Sequence, residues 1–192
     1  MRIISGKFRG RKLIRFKTEN IRPTTDKTRE SIFNIIISYL KINEESNLLP
    51  FKKFNVLDIF AGTGALGFES ISRGAENVTF IEKSKENLNI LYKNINLLKV
   101  NEKVKIIKRS IRKVKKIDEK FDLIFIDPPY RMNIIQKKTL KKIIKFKILK
   151  KKTLIVLEHS RKKKIVIPKD FEVIKEKNYG NSSLTLIKLK QY

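Results

Sequence analysis

Short apolar runs alternate along this chain with longer segments in which apolar residues return every three or four positions. FNVLDIF (54–60), NVTFIE (77–82), KVKIIK (103–108), FDLIFID (121–127) and TLIVLE (153–158) have the length and composition of strands. Between them, GALGFESISRG, SKENLNILYKNINLLK and NIIQKKTLKKIIKFKILK carry helical spacing. Strands that are apolar on both faces and separated by helices predict an α/β fold with a parallel sheet covered on both sides. After Pro168 the pattern changes. FEVIKEKNYGNSSLTLIKLK alternates about a turn at 178–183, which predicts a closing antiparallel hairpin.

The first fifty residues exceed what such a sheet requires. MRIISGKFRGRKLIRF alternates apolar and basic residues about Gly6 and Gly10 and predicts a basic β-hairpin. TTDKTRESIFNIIISYL predicts a helix from about residue 26, capped by Thr25 or Asp26. The expected organisation is an extension over 1–50, hairpin plus helix, and an α/β domain over 51–192.

Composition narrows the chemistry. A length of 192 residues suits one main domain. No apolar run reaches the roughly 18 residues of a membrane span, and the N-terminus lacks the apolar core of a signal peptide, so a cytoplasmic protein without a membrane partner is expected. With no cysteine and a single histidine, His159, no thiolate or histidine metal site is expected. Forty-six Lys and Arg against 19 Asp and Glu, net +27, point to a polyanionic partner, nucleic acid foremost. Abundant lysine, isoleucine and asparagine indicate that AT-rich coding supplies part of that excess.

VLDIFAGTGALG places Gly62, Gly64 and Gly67 in a G-x-G-x-x-G spacing between a strand and a helix, and Glu82 closes the next strand. Such a loop turns tightly and lets a ligand approach its backbone, while the acidic residue accepts hydrogen bonds from ribose hydroxyls. The motif suits either NAD or S-adenosylmethionine. Asp58 favours the second: a carboxylate beside the loop repels a diphosphate and attracts an ammonium or sulfonium.

FDLIFIDPPYR then ends a strand on one carboxylate, two prolines and an aromatic ring. Asp127 falls at the carboxyl edge of the sheet, where open α/β sheets bind ligands. An exocyclic amine of a nucleobase is a poor nucleophile because its lone pair is delocalised. Asp127 and the Pro128 carbonyl can accept its two N–H bonds and direct the lone pair at a methyl group, Pro129 rigidifies that carbonyl, and Tyr130 can stack on the base.

DIFAGTGALG, DPPY and, above all, IRPTTDKTRESIFNI resemble the bacterial methyltransferases that modify N2 of one guanine in small-subunit (16S) ribosomal RNA. The resemblance spans nearly the whole chain, through VLEHS to YGNSSL. It implies a class I S-adenosylmethionine-dependent methyltransferase: a Rossmann-like, seven-stranded, mostly parallel sheet behind the N-terminal extension. It implies S-adenosylmethionine held by Asp58, Phe60, Gly62, Gly64, Glu82 and Ser110, with Asp127, Pro128, Pro129 and Tyr130 as the catalytic tetrapeptide. Ser110 departs from the Asp or Asn usual at its place. The implied substrate is 16S rRNA in an assembling small subunit, met by a monomer.

Arg9, Arg11 and Lys12 cluster on the basic N-terminal stretch and are expected to contact phosphates. The resemblance adds Arg22 and Arg29 as RNA-facing or site-wall residues. The alternatives are a DNA adenine or cytosine amino-methyltransferase, for which the chain has little room, and an NAD-dependent oxidoreductase, for which it offers no evident acid. His159 is read as structural, since methyl transfer needs no strong general base.

Overall fold

The computed structural model describes residues 1–15, 25–42, 49–128, 133–162 and 165–190. Seven strands form one sheet: β1 Asn55–Ile59, β2 Asn77–Ile81, β3 Val104–Ile107, β4 Phe121–Ile126, β5 Leu149–Ser160, β6 Phe171–Tyr179 and β7 Ser182–Leu189. Their order is β3-β2-β1-β4-β5-β7-β6. The first five run parallel, and β7 lies antiparallel to both β5 and β6. Because β1 pairs with β2 on one side and β4 on the other, the strand order reverses between β1 and β4. A crevice opens at such a point beyond the carboxyl ends of the strands.

Among the described residues, four α-helices accompany the sheet: α1 Asp26–Leu40, α2 Ala65–Ser72, α3 Lys85–Leu98 and α4 Asn133–Lys145. Thr25 caps α1 and Ser84 caps α3, their hydroxyls accepting from Thr28 N (3.1 Å) and Asn87 N (3.4 Å). Among the described residues, no helix is long and apolar enough to cross a membrane. Two boundaries differ from the sequence reading. Helix α4 stops at Lys145, short of the expected 150, because Lys147 turns to a φ of 56°, and β5 begins at Leu149 to pair with Phe121.

Alternation along the strands sorts the core into two layers. Val56, Val78, Phe80, Leu123, Phe125, Leu154 and Val156 pack on one face with residues of α1, α2 and α3. Leu57, Ile59, Ile81, Ile124, Ile126, Ile155 and Leu157 pack on the other with Leu140 and Ile143 of α4. Both faces being covered explains why these strands read as continuous apolar runs.

The N-terminal extension joins the first layer. Ile3, Phe8 and Leu13 are buried there beside Ile32, Phe33 and Ile36 of α1. The expected β-hairpin reduces to a single antiparallel bridge, Arg2 to Lys12. The reason lies in where its donors go. Ile4 N and Ser5 N donate to the Glu69 carboxylate at 2.8 and 3.0 Å, and Lys7 N and Phe8 N donate to the carbonyl and hydroxyl of Ser72. Backbone that bonds to α2 in this way cannot also extend a ladder.

Glu69 is the centre of that docking. Its carboxylate is fully buried, pairs with Arg73 Nε at 2.9 Å, and has Arg29 Nε at 3.8 Å. Arg29 also reaches Asp26 Oδ1 at 2.9 Å and the Arg2 carbonyl, so one buried network ties α1, α2 and the chain start together. This corrects the reading of Arg29 as an RNA contact: its side chain is 0% exposed and committed to Asp26 and Glu69.

Candidate active site

The glycine loop does its work through three different geometries. Gly62 has φ +56°, and a Cβ there would meet no atom closer than the Phe60 carbonyl at 4.0 Å, so the backbone lies open to a ligand. Gly64 has φ +84° and packs tightly, an added Cβ falling 2.5 Å from Leu91 and Phe68. Gly67 lets α2 close on β2, since its Cβ would fall 2.2 Å from the Phe80 ring. Before the loop, Phe60 is itself held at φ 68°, in the left-handed region that non-glycine residues seldom adopt.

Two carboxylates brace the loop from beneath. Asp58 Oδ2 accepts from Gly67 N at 3.1 Å. Glu82 Oε2 accepts from Gly62 N at 2.8 Å, while its Oε1 accepts from Lys83 N (2.7 Å) and Ser84 N (2.8 Å). A carboxylate offers about four acceptor directions. These three bonds leave Glu82 one acceptor direction beyond them. Ser110, beyond the end of β3, caps a short 3-10 turn over Ile111–Lys113, its Oγ accepting from Arg112 N at 3.4 Å.

Asp127 follows directly on β4. The register pairs Asp58 with Phe125, and Ile126 with Leu157, so alternation puts Asp58, Asp127 and Glu158 at the carboxyl ends of three adjacent strands on one sheet face. Glu82 ends β2 on that same face. Their electrostatics agree with the placement. Burial pushes the Asp58 carboxyl up to about 7, against the Gly67 bond that lowers it, and the charge of Glu82 adds to the rise. Asp127 is raised well above the usual carboxylate range, first by burial and then by Glu158 and Asp58. Pro128 is buried beside it. Pro129, Tyr130 and Arg22 lie outside the described residues.

The Asp58 value carries a pH prediction. Folded Asp58 keeps a proton that the unfolded chain loses above about pH 4, so its contribution to stability falls as pH rises from about 4 to 7 and is level beyond. A cationic ligand prefers the charged form. Affinity for S-adenosylmethionine is therefore expected to climb through pH 6–7 and level off, and Asp58→Asn to flatten that climb; calorimetry across pH checks both.

Three features were not legible as parts of the site. Asn94 of α3 is buried, donates to the carbonyls of Ile14 and Thr63 at 3.1 Å each, and accepts from Ile14 N at 2.8 Å. It thus ties the basic N-terminal stretch to the glycine loop. The available signal was a polar residue on the apolar stripe of α3, between Leu91 and Ile95. Glu158 and Gln136 also converge here, Gln136 Nε2 donating to the Glu158 carbonyl at 2.6 Å. His159 points away, to Thr185 Oγ1 at 2.8 Å, in a structural setting. Arg9, Arg11 and Lys12 are exposed, with Arg11 stacked over the Phe8 ring at 5.2 Å.

Comparison with known proteins places this geometry. Residues 1–188 match the family described as Conserved hypothetical protein 95. "Ribosomal RNA small subunit methyltransferase D" of Haemophilus influenzae is 35% identical over 190 residues, 97% of this chain and 92% of that protein. The protein of that name from Buchnera aphidicola (Acyrthosiphon pisum) is 36% identical over 176 residues, 91% of this chain and 86% of that one. Among solved structures, the Escherichia coli protein yhhF superposes with a TM-score of 0.81 at 28% identity, covering 99% of this chain and 98% of its own. The Haemophilus influenzae protein HI0767 gives 0.77 at 31%, with the same coverage. With that sheet order, that glycine loop and these relatives, the chain belongs to the family described as Conserved hypothetical protein 95 and is a class I methyltransferase.

Proposed function

We propose that this chain methylates the exocyclic N2 of one guanine in 16S ribosomal RNA, using S-adenosylmethionine, and acts as a monomer on RNA presented by an assembling small subunit. The observation that carries the reading is the line of carboxylates on one sheet face at the switch point: Glu82 and Asp58 beside an open glycine loop, then Asp127. The relatives named as small-subunit rRNA methyltransferases support the substrate class.

The loop fits the donor. Gly62 leaves room for a ligand against its backbone, Glu82 offers an acceptor to a ribose, and Asp58 supplies negative charge for an amino-acid ammonium and a sulfonium. When bound, S-adenosylmethionine supplies an electrophilic methyl group. The protein's own share is orientation and charge. Asp127 and the Pro128 carbonyl accept the two N–H bonds of the guanine amine, which turns its lone pair outward, and Asp127 offsets the positive charge that grows on nitrogen during transfer. The surplus proton leaves through Asp127 or water. A dinucleotide diphosphate at this loop would face Asp58, which disfavours the oxidoreductase reading.

Side-by-side calorimetry tests the donor. S-adenosylmethionine is expected to bind far more tightly than NAD, and Glu82→Ala to weaken it about ten- to a hundredfold, from charge-assisted bonds worth roughly 1.5–3 kcal/mol each. Tighter binding of NAD would overturn the reading.

The exposed Arg9, Arg11 and Lys12 serve the RNA. Neutralising all three is expected to flatten the log–log salt dependence of RNA binding by up to about 2.7, at about 0.9 per phosphate contact. An unchanged slope would make their charge compositional.

A further inference from the structure

Six cations and no acid stand in the nine residues from Lys108 to Lys116, KRSIRKVKK, where β3 ends and the chain turns back. The first part of that run lies on the carboxyl edge of the sheet. Lys108, Arg109, Arg112 and Lys113 are exposed around the 3-10 turn over Ile111–Lys113, while Ile111 of the same turn is buried beneath them. Among the described residues, no carboxylate pairs with any of the four. Lys108 rests on an aromatic ring instead, its Nζ 5.0 Å from the ring centroid of Tyr92 on α3.

The opposite edge of the sheet is different. Glu76, Glu102, Asp118 and Glu119 stand in the loops that lead into β2, β3 and β4. Two of them hold lysines: Glu119 pairs with Lys105, and Asp118 with Lys116, by which point the run has returned to that edge. AT-rich coding raises lysine throughout a chain. It does not clear acids from one edge and keep them at the other, so the sorting marks a site for a polyanion.

The position suits RNA that has delivered a base to Asp127. β3 lies three strands from β4, about 14 Å along the edge at roughly 4.8 Å per strand. That is some four stacked nucleotides at about 3.4 Å each. The basic N-terminal stretch approaches from the other flank of α3. Asn94 binds Ile14 on one side of the helix, and Tyr92, two positions earlier and so about 200° round it, meets Lys108 on the other. An enzyme that takes a base out of its stack must hold the flanking backbone, and phosphate contacts fix that register without reading sequence.

We propose that the exposed cations at the end of β3, with Lys108, Arg109 and Arg112 foremost, form a second RNA surface that binds phosphates a few nucleotides from the target base. The inference rests on the RNA-methyltransferase reading and deepens it by naming where the flanking strand lies. The guanidinium forks of Arg109 and Arg112 match phosphate oxygens. Lys108, already seated on Tyr92, has less side-chain freedom to lose on binding.

The test places equal charge changes at the two edges. Binding of the full chain to 16S RNA transcribed in vitro is measured across salt for the parent and two triple variants. One carries Lys108→Gln, Arg109→Gln and Arg112→Gln. The other carries Lys52→Gln, Lys53→Gln and Lys120→Gln, all three lysines being exposed beside the amino ends of β1 and β4. The first variant is expected to flatten the log–log slope by about 2–3, at about 0.7–0.9 per phosphate contact, and the second by less than about 0.5. S-adenosylmethionine affinity is expected to stay within about twofold of the parent in both, which also reports that they are folded.

A parental slope in the first variant overturns the inference. So does equal flattening in the two variants, which assigns the effect to net charge. The slopes are read without catalysis. Parent protein that forms no N2-methylguanosine, while the slopes differ as expected, overturns the functional reading and leaves the RNA surface standing.

Discussion

Asp127→Ala is expected to slow single-turnover methyl transfer by about a hundredfold or more, the scale on which a preorganised polar contact to developing charge is lost. S-adenosylmethionine affinity should change much less, because the contacts assigned to the donor come from the loop, Asp58 and Glu82. Asp127→Asn keeps an acceptor oxygen and removes the charge, so an intermediate rate is expected, and its distance from each extreme separates orientation from electrostatics. The raised affinity of Asp127 for a proton adds a pH signature. Activity should rise with pH as the carboxylate ionises, and Glu158→Gln, by removing the neighbouring charge, should move that rise to lower pH. Parental rates in a folded Asp127→Ala protein would reduce the residue to a strand terminator.

The second large effect is on stability. Glu69→Ala leaves Arg29 and Arg73 buried without the carboxylate between them and strips the acceptor from Ile4 N and Ser5 N. Breaking a buried ion pair from one side costs about 3–5 kcal/mol. At roughly 2–4 °C per kcal/mol for a chain of this size, the melting temperature should fall by about 6–20 °C. The N-terminal stretch should also loosen, with faster tryptic cleavage at Arg9 and Arg11. Glu69→Gln keeps the acceptor oxygen for the backbone donors and should lose less. A melting temperature within about 2 °C of the parent, under ~1 kcal/mol, would mean that the apolar contacts of Ile3, Phe8 and Leu13 dock the extension by themselves.

The sheet was legible because its information is local. Five apolar runs, each closed by a polar residue or a turn, define the parallel strands, and the helices between them leave few other topologies. Glycine spacing with Glu82 at the next strand end likewise located the loop, since motif and sheet edge share a short stretch of chain. The parts that escaped depend on residues far apart in sequence. Arg29, in a polar block, read as an RNA-facing or site-wall residue. Only its meeting with Glu69, in a different helix, makes it a core residue. The N-terminal alternation promised a two-stranded ladder, but its backbone donors found α2 instead. Glu158 could not be linked to Asp127 until the β4–β5 register was known, because nothing in TLIVLEHS states which strand lies beside it. Asn94 was visible as an anomaly in an apolar stripe, without its partners Ile14 and Thr63.

The methylated product itself identifies the reaction. Purified protein, S-adenosylmethionine carrying a labelled methyl group, and small-subunit particles from cells lacking this chain should be incubated together, and the RNA digested to nucleosides. One labelled nucleoside is expected, N2-methylguanosine, from a single position of 16S RNA. Label in another base, at another atom of guanine, or in none would contradict it.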